Sequence, residues 1–192
     1  MHFKHRYDTL LNWAAVSEKA LHGNPSGLDA ATASAGRPQW FVRGKAPRSI
    51  MMPRNGVLLI ADTGVAGQTK IAVGAVADRL KQDPKMYRPL IKDIGDTVRQ
   101  AALALAQDDI ITLGQLFNRD QADLSALGVS SPDLDRLINV AIDNGAYGAK
   151  LTGSGMGGCM IALAASDQAV AITTALKAAN AAKVWEYHFE SK

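Results

Sequence analysis

The chain has 192 residues, room for one large or two small domains with a buried core, so disorder is not the default. Hydrophobic residues make up 47% and charged residues 20%, and apolar stretches such as residues 159–165 fall far short of the roughly 18–20 needed to cross a bilayer, which excludes a membrane-spanning protein. The 21 basic and 18 acidic residues leave a net charge of +3, with no Lys/Arg block and no interleaved aromatics, which argues against a nucleic-acid partner and suits an anionic small molecule.

In chain order, residues 8–21 read as a helix, stopped at Gly23 and Pro25, and a short helix follows the Asn-Pro-Ser-Gly turn to about Ser34. Two short strands are expected at 39–43 and 48–52, and Pro53-Arg54-Asn55-Gly56 marks a boundary between domains 1–54 and 55–192. Residues 57–61 form an apolar strand, and a helix runs over 69–81 until Asp83-Pro84 breaks it. Helices follow at about 89–107, 110–127 and 132–144. Strands at 149–152 and 159–165 are joined by a glycine loop, and a helix at 168–182 leads to a last strand at 184–189. The second domain therefore reads as α+β, an antiparallel sheet with helices on one face.

Two constellations could carry chemistry. On the 8–21 helix, Glu18 falls among Leu11, Ala14 and Leu21 on the apolar arc, opposite Asn12 and Lys19. An inward carboxylate needs a partner, because an unpaired buried charge costs several kcal/mol; a basic side chain or a cation such as Mg²⁺ would serve. Downstream lies His22-Gly23-Asn24-Pro25-Ser26-Gly27-Leu28-Asp29, which places an acid at a helix start whose free N–H groups also suit an anion. The second constellation is Lys150-Leu151-Thr152-Gly153-Ser154-Gly155-Met156-Gly157-Gly158. It matches a dinucleotide fingerprint in letters, but a strand follows where a helix is required. A glycine loop offering N–H groups to phosphates survives, beside the plainer reading of a tight hairpin.

Other motifs lead nowhere. A single Asp62-Thr63-Gly64 followed by helical sequence does not make the paired carboxylates of an aspartic protease. The four histidines have no metal-ligand spacing, and the lone Cys159 has no partner for a disulfide or zinc. With no apolar segment behind the basic amino end, the expected location is cytoplasmic.

The segments His22–Asp29, Asp62–Lys70 and Lys150–Cys159 resemble the mevalonate kinase family, within the superfamily of galactokinase, homoserine kinase, mevalonate kinase and phosphomevalonate kinase. The resemblance implies a two-lobed kinase fold whose second lobe is a ferredoxin-like, helix-covered antiparallel sheet, and the enzyme's substrates ATP and mevalonate. By position it implies Asp29 as the catalytic acid, Glu18 as a Mg²⁺ ligand, His22 and Thr69 at the substrate, and Gly153, Ser154, Gly155, Gly157 and Gly158 beside the triphosphate. Met156 stands where the family often has glycine. The family's nucleotide loop, P-x-G-x-G-L-G-S-S-A-A, and its amino-terminal lysine have no counterpart in these residues, so the chain is expected to be the carboxyl-terminal part of such a kinase and inactive alone. Its partner would be a separately encoded amino-terminal half or a second copy. The competing expectations are a non-catalytic module, or a sister kinase acting on another small alcohol.

Overall fold

The computed structural model describes residues 13, 28–36, 38–42 and 44–189. The chain divides into two compact units, Met1–Met52 and Pro53–Lys192. In the first, helix α1 (Leu28–Ala35) ends at Gly36, which has φ 61°. A minimal antiparallel pair follows, β1 (Gln39–Trp40) with β2 (Arg48–Ser49), shorter than the sequence pattern suggests. The Gln39 side-chain amide donates to Ser49 Oγ across this pair at 3.2 Å.

The second unit is built on a four-stranded antiparallel sheet. Its strands are β3 (Val57–Asp62), β4 (Gly148–Leu151), β5 (Cys159–Ala164) and β6 (Lys183–His188), in the spatial order β4-β5-β3-β6. This is the ferredoxin-like arrangement, in which the first and third strands are central and each pairs antiparallel with its neighbours. Between β3 and β4 run α2 (Thr69–Gln82), α3 (Pro84–Ala106), α4 (Ile110–Ala126) and α5 (Pro132–Asp143), and α6 (Ala169–Ala178) joins β5 to β6.

Although Val57–Ala61 is apolar throughout, burial alternates along β3 as the pleat requires: Val57, Leu59 and Ala61 are buried and the residues between them are half-buried. The buried side of the sheet adds Ala149, Leu151, Met160 and Ala162, and α5 and α6 cover it with Leu134, Leu137, Ile138, Ile172 and Leu176. Each fully buried leucine or isoleucine contributes about 1.5–3 kcal/mol through its removal from water. On the opposite side, Trp185 and Tyr187 of β6 remain about half exposed. Among the described residues no helix is long and apolar enough to cross a membrane.

Two helix boundaries differ from the sequence reading. Helix α3 begins at Pro84, not near Pro89, because the Asp83 carboxylate caps it, accepting from Met86 N at 3.0 Å, and a proline at the first position gives up no hydrogen bond. Pro89 is tolerated inside the helix. Helix α6 stops at Ala178, not 182, since Asn180 turns left-handed at φ 62° and the chain then rejoins the sheet, with Ala182 N donating to Asp62 O at 2.8 Å. An alanine-rich run has helix propensity throughout and so does not mark this end.

Helix α4 lies against the otherwise unpaired edge of β4. Its Asn118 side chain accepts from Ala149 N at 2.9 Å and donates to Tyr147 O at 3.3 Å, and Gln121 Oε1 accepts from Leu151 N at 2.9 Å. Side-chain amides thus satisfy an edge that would otherwise expose its backbone groups. The approach requires Gly114 and Gly148, since a Cβ on Gly148 would lie 1.7 Å from Gly114 O.

Candidate functional site

Two loops at one end of the sheet lock together. The first, residues 63–68, leaves β3 toward α2; the second, residues 152–158, joins β4 to β5. Thr63 donates twice to Gly158 O, from its N at 3.0 Å and its Oγ1 at 2.8 Å, and Gly158 N returns a bond to Val65 O at 2.7 Å. The first loop is braced internally, with Gly64 N donating to Asp62 Oδ1 and Val65 N to Thr63 Oγ1.

The glycines of the second loop do different jobs. Gly155 and Gly157 make room for neighbouring backbone: a Cβ would stand 2.0 Å from Val129 O at one and 2.8 Å from Val65 O at the other. Gly153 and Gly158 have nothing within 4 Å of an added Cβ, yet both hold left-handed φ near 80°, which a side chain would strain. Met156, at the family's glycine position, also sits at φ 57°; its side chain packs on the core cluster and its N–H donates to Val129 O at 2.8 Å. The loop thus has a packed side and an open side. Among the described residues the N–H groups of Gly153, Ser154, Gly155 and Gly157 have no backbone acceptor; Gly153 is exposed and Ser154 half-buried, whereas Gly155 and Gly157 are buried.

Helix α2 adds its positive end. Thr69 is its first residue, and Thr69 Oγ1 and Ser154 Oγ share a hydrogen bond at 2.9 Å. Gln68, at the cap position, makes no side-chain hydrogen bond to the helix, leaving its first N–H groups for other partners. Lys70 stands next in the chain and is exposed. Near the other end of α2, Arg79 donates to Leu127 O at 2.6 Å, steadying the turn after α4 that backs the glycine loop. Lys150, on the strand entering the loop, pairs with Asp120 at 3.4 Å. Cys159 lies opposite Asp62 in the sheet register, and burial, then that carboxylate, push its thiol pKa up, so it stays protonated and unreactive at neutral pH.

Of the residues singled out from sequence, Thr69 at the start of α2 and Gly153, Ser154, Gly155, Gly157 and Gly158 of the second loop come together. Asp29 is the second residue of α1 in the first unit, and its side chain, like all of Glu18 and His22, lies outside the described residues. Among the described residues, which do not include Glu18 or the Asp29 side chain, no group of three or more His, Cys, Asp or Glu could hold a metal ion. Sequence reasoning missed the supporting carbonyls of Val65 and Val129, which have no side-chain signature. It also missed Gln121, though that residue falls on the inward arc of α4 with Leu113, Leu116 and Leu124, the same signal that drew notice to Glu18.

Residues 101–182, from α3 through α6 and including the glycine loop, match the family described as GHMP kinases C terminal. The chain carries a GHMP kinase carboxyl-terminal domain. The neighbouring sequence agrees with that assignment. The chain is 35% identical over 162 residues to mevalonate kinase of Bos taurus, covering 81% of this chain and 40% of that protein. It is 38% identical over 162 residues to mevalonate kinase of Aeropyrum pernix, covering 81% and 48%. The GHMP fold is also similar to a crystal structure of L. major mevalonate kinase in complex with R-mevalonate, with a TM-score of 0.83 and 33% identity over 90% of this chain and 55% of that one. The chain thus spans about half or less of the length of the curated mevalonate kinases it matches.

Proposed function

We propose that this chain is the carboxyl-terminal part of a cytoplasmic mevalonate kinase, which moves the γ-phosphoryl group of ATP to the primary hydroxyl of mevalonate in isoprenoid precursor synthesis. The observation that carries this reading is the open side of the glycine loop, where the N–H groups of Gly153 and Ser154 lack backbone acceptors beside the start of α2, which has no side-chain cap. Such an arrangement suits the phosphates of a nucleotide. The similarity to mevalonate kinases supplies the acceptor alcohol.

In this reading the loop N–H groups and the Ser154–Thr69 hydroxyl pair hold phosphate oxygens, with His22 and Thr69 at the substrate. Asp29 orients the mevalonate hydroxyl and takes its proton. The hydroxyl oxygen bonds to the γ-phosphorus as the bond from that phosphorus to the bridging oxygen breaks, and ADP leaves. Glu18 is the proposed ligand of the Mg²⁺ that accompanies the nucleotide. The P-x-G-x-G-L-G-S-S-A-A loop and its lysine are proposed to be needed for turnover, since losing preorganised phosphate contacts costs several kcal/mol of transition-state stabilisation and each 1.36 kcal/mol is about tenfold in rate.

The test is a coupled ADP-release assay with mevalonate, homoserine and galactose, on the chain alone and with the amino-terminal part of a mevalonate kinase added. The chain alone is expected to be slow or silent, and the pair active on mevalonate. Asp29→Asn is expected to lower the restored rate roughly 100-fold or more with folding intact. An undiminished Asp29→Asn rate means another group takes the proton, and a pair that stays silent leaves a non-catalytic role.

A further inference from the structure

We infer that Gln121 is a positioning residue for the glycine loop, its carboxamide clamping the strand that enters the loop to the turn that backs the loop's centre. This rests on the reading of the loop as a phosphate contact. Gln121 lies on α4 and is 8% exposed. Its Oε1 accepts from the N–H of Leu151, the last residue of β4 and the second before Gly153. Its Nε2 donates toward Ser130 Oγ at 3.1 Å, Asp135 Oδ1 at 3.3 Å and Ser125 Oγ at 3.2 Å. Ser130 Oγ itself donates to Asp135 Oδ1 at 2.5 Å.

The turn held in this way bears directly on the loop. Val129, the neighbour of Ser130, accepts from Met156 N at 2.8 Å, and its carbonyl lies so close to Gly155 that a Cβ there would meet it at 2.0 Å. Met156 holds a left-handed φ of 57° that a non-glycine residue adopts only when its surroundings impose it. The carbonyl of Val129 supplies that constraint at the N–H of Met156, and Gln121 fixes Val129 through Ser130.

Only a carboxamide fits both ends of this clamp. A carboxylate would keep the acceptor for Leu151 but lose both donors and oppose Asp135, and an apolar side chain of the same length would leave the Leu151 N–H buried without a partner. Asn118, three residues earlier, provides an internal control. It makes the same kind of bond to the edge of β4, at Ala149 and Tyr147, at a distance from the 128–131 turn in the hydrogen-bond pattern. A role in docking α4 on the sheet would be common to both residues, whereas a role in setting the loop belongs to Gln121.

The experiment uses the whole chain, ¹⁵N-labelled, with sodium tripolyphosphate as the probe. Amide exchange of Met156 is measured relative to that of Leu59, a central-strand residue that reports global opening. Gln121→Met and Ser130→Ala are expected to speed Met156 exchange about tenfold more than Leu59 exchange, and to weaken tripolyphosphate binding about fivefold or more. Asn118→Ala is expected to move both amides together. Ser130→Ala removes the turn side of the clamp together with the Ser130–Asp135 bond, so Gln121→Glu, which keeps the acceptor for Leu151 and loses the donors to the turn, decides the matter should Gln121→Met fail to fold. Wild-type protection of Met156 in the clamp variants, or equal loosening by Asn118→Ala, overturns the inference. Failure of the wild-type chain to bind tripolyphosphate instead overturns the phosphate reading, while the exchange data still decide whether Gln121 sets the loop.

Discussion

Asp123, on α4, has its Oδ2 atom buried without a hydrogen-bond partner among the described residues. Burial, then the Asp93 carboxylate, push its pKa up; Arg119 opposes them and Asp120 adds to them. A carboxyl whose pKa is raised on folding favours the folded state below its unfolded pKa, and that advantage is lost as pH rises through the folded value. Asp123→Asn is therefore expected to stabilise the protein at pH 7, read from urea unfolding, with the gain shrinking as pH falls through the raised folded value and gone below about 4, the unfolded carboxylate value. The residue scale also shows where sequence legibility stops. Gly153 and Gly158 are readable as glycines because their left-handed backbone demands that residue type. Val129 reads only as a buried apolar residue of the core, and nothing in its side chain signals that its carbonyl meets Gly155 and Met156.

At the level of elements, the α4–β4 contact is set by missing side chains. Gly114 and Gly148 bring helix and strand backbones together, and a Cβ on Gly114 would lie 2.4 Å from Tyr147 Cβ. Gly148→Ala is expected to push the helix off the strand, break the Asn118 bonds, and cost more than about 3 kcal/mol or prevent folding. Gly74→Ala is the contrasting substitution: it lies within α2 with nothing within 4 Å of an added Cβ, so it is expected to stabilise by roughly 0.5–1 kcal/mol. Equal losses in urea unfolding for the two variants would show that close approach is not what Gly148 provides. The strands and helices themselves were largely legible, since β3 and β5 are short apolar runs and α5 keeps its inward Leu134, Leu137, Ile138 and Ala141 at helical spacing. Where α3 starts depended on weighing a capping Asp83 and Pro84 against a second proline at Pro89, and periodicity does not rank those signals.

For the whole molecule, the second unit has its own core and sheet, so limited proteolysis is expected to leave a stable piece beginning near residue 55, whereas equally fast cutting inside residues 57–61 would count against an independent unit. The antiparallel, helix-covered class follows from element order, but the interlocking of the two site loops joins Thr63 to Gly158 across 95 positions, a separation over which local patterns have no reach. The strand order also bears on synthesis. β3 is made first in this unit and finishes between β5 and β6, which are made last. Throughout translation of the four intervening helices, the nascent chain carries Val57-Leu58-Leu59-Ile60 with both edges open, the condition in which apolar strands find foreign partners. Even once β5 has docked, one edge of β3 waits for β6, so shielding on the ribosome matters more for this protein than its finished, fully flanked central strand would suggest.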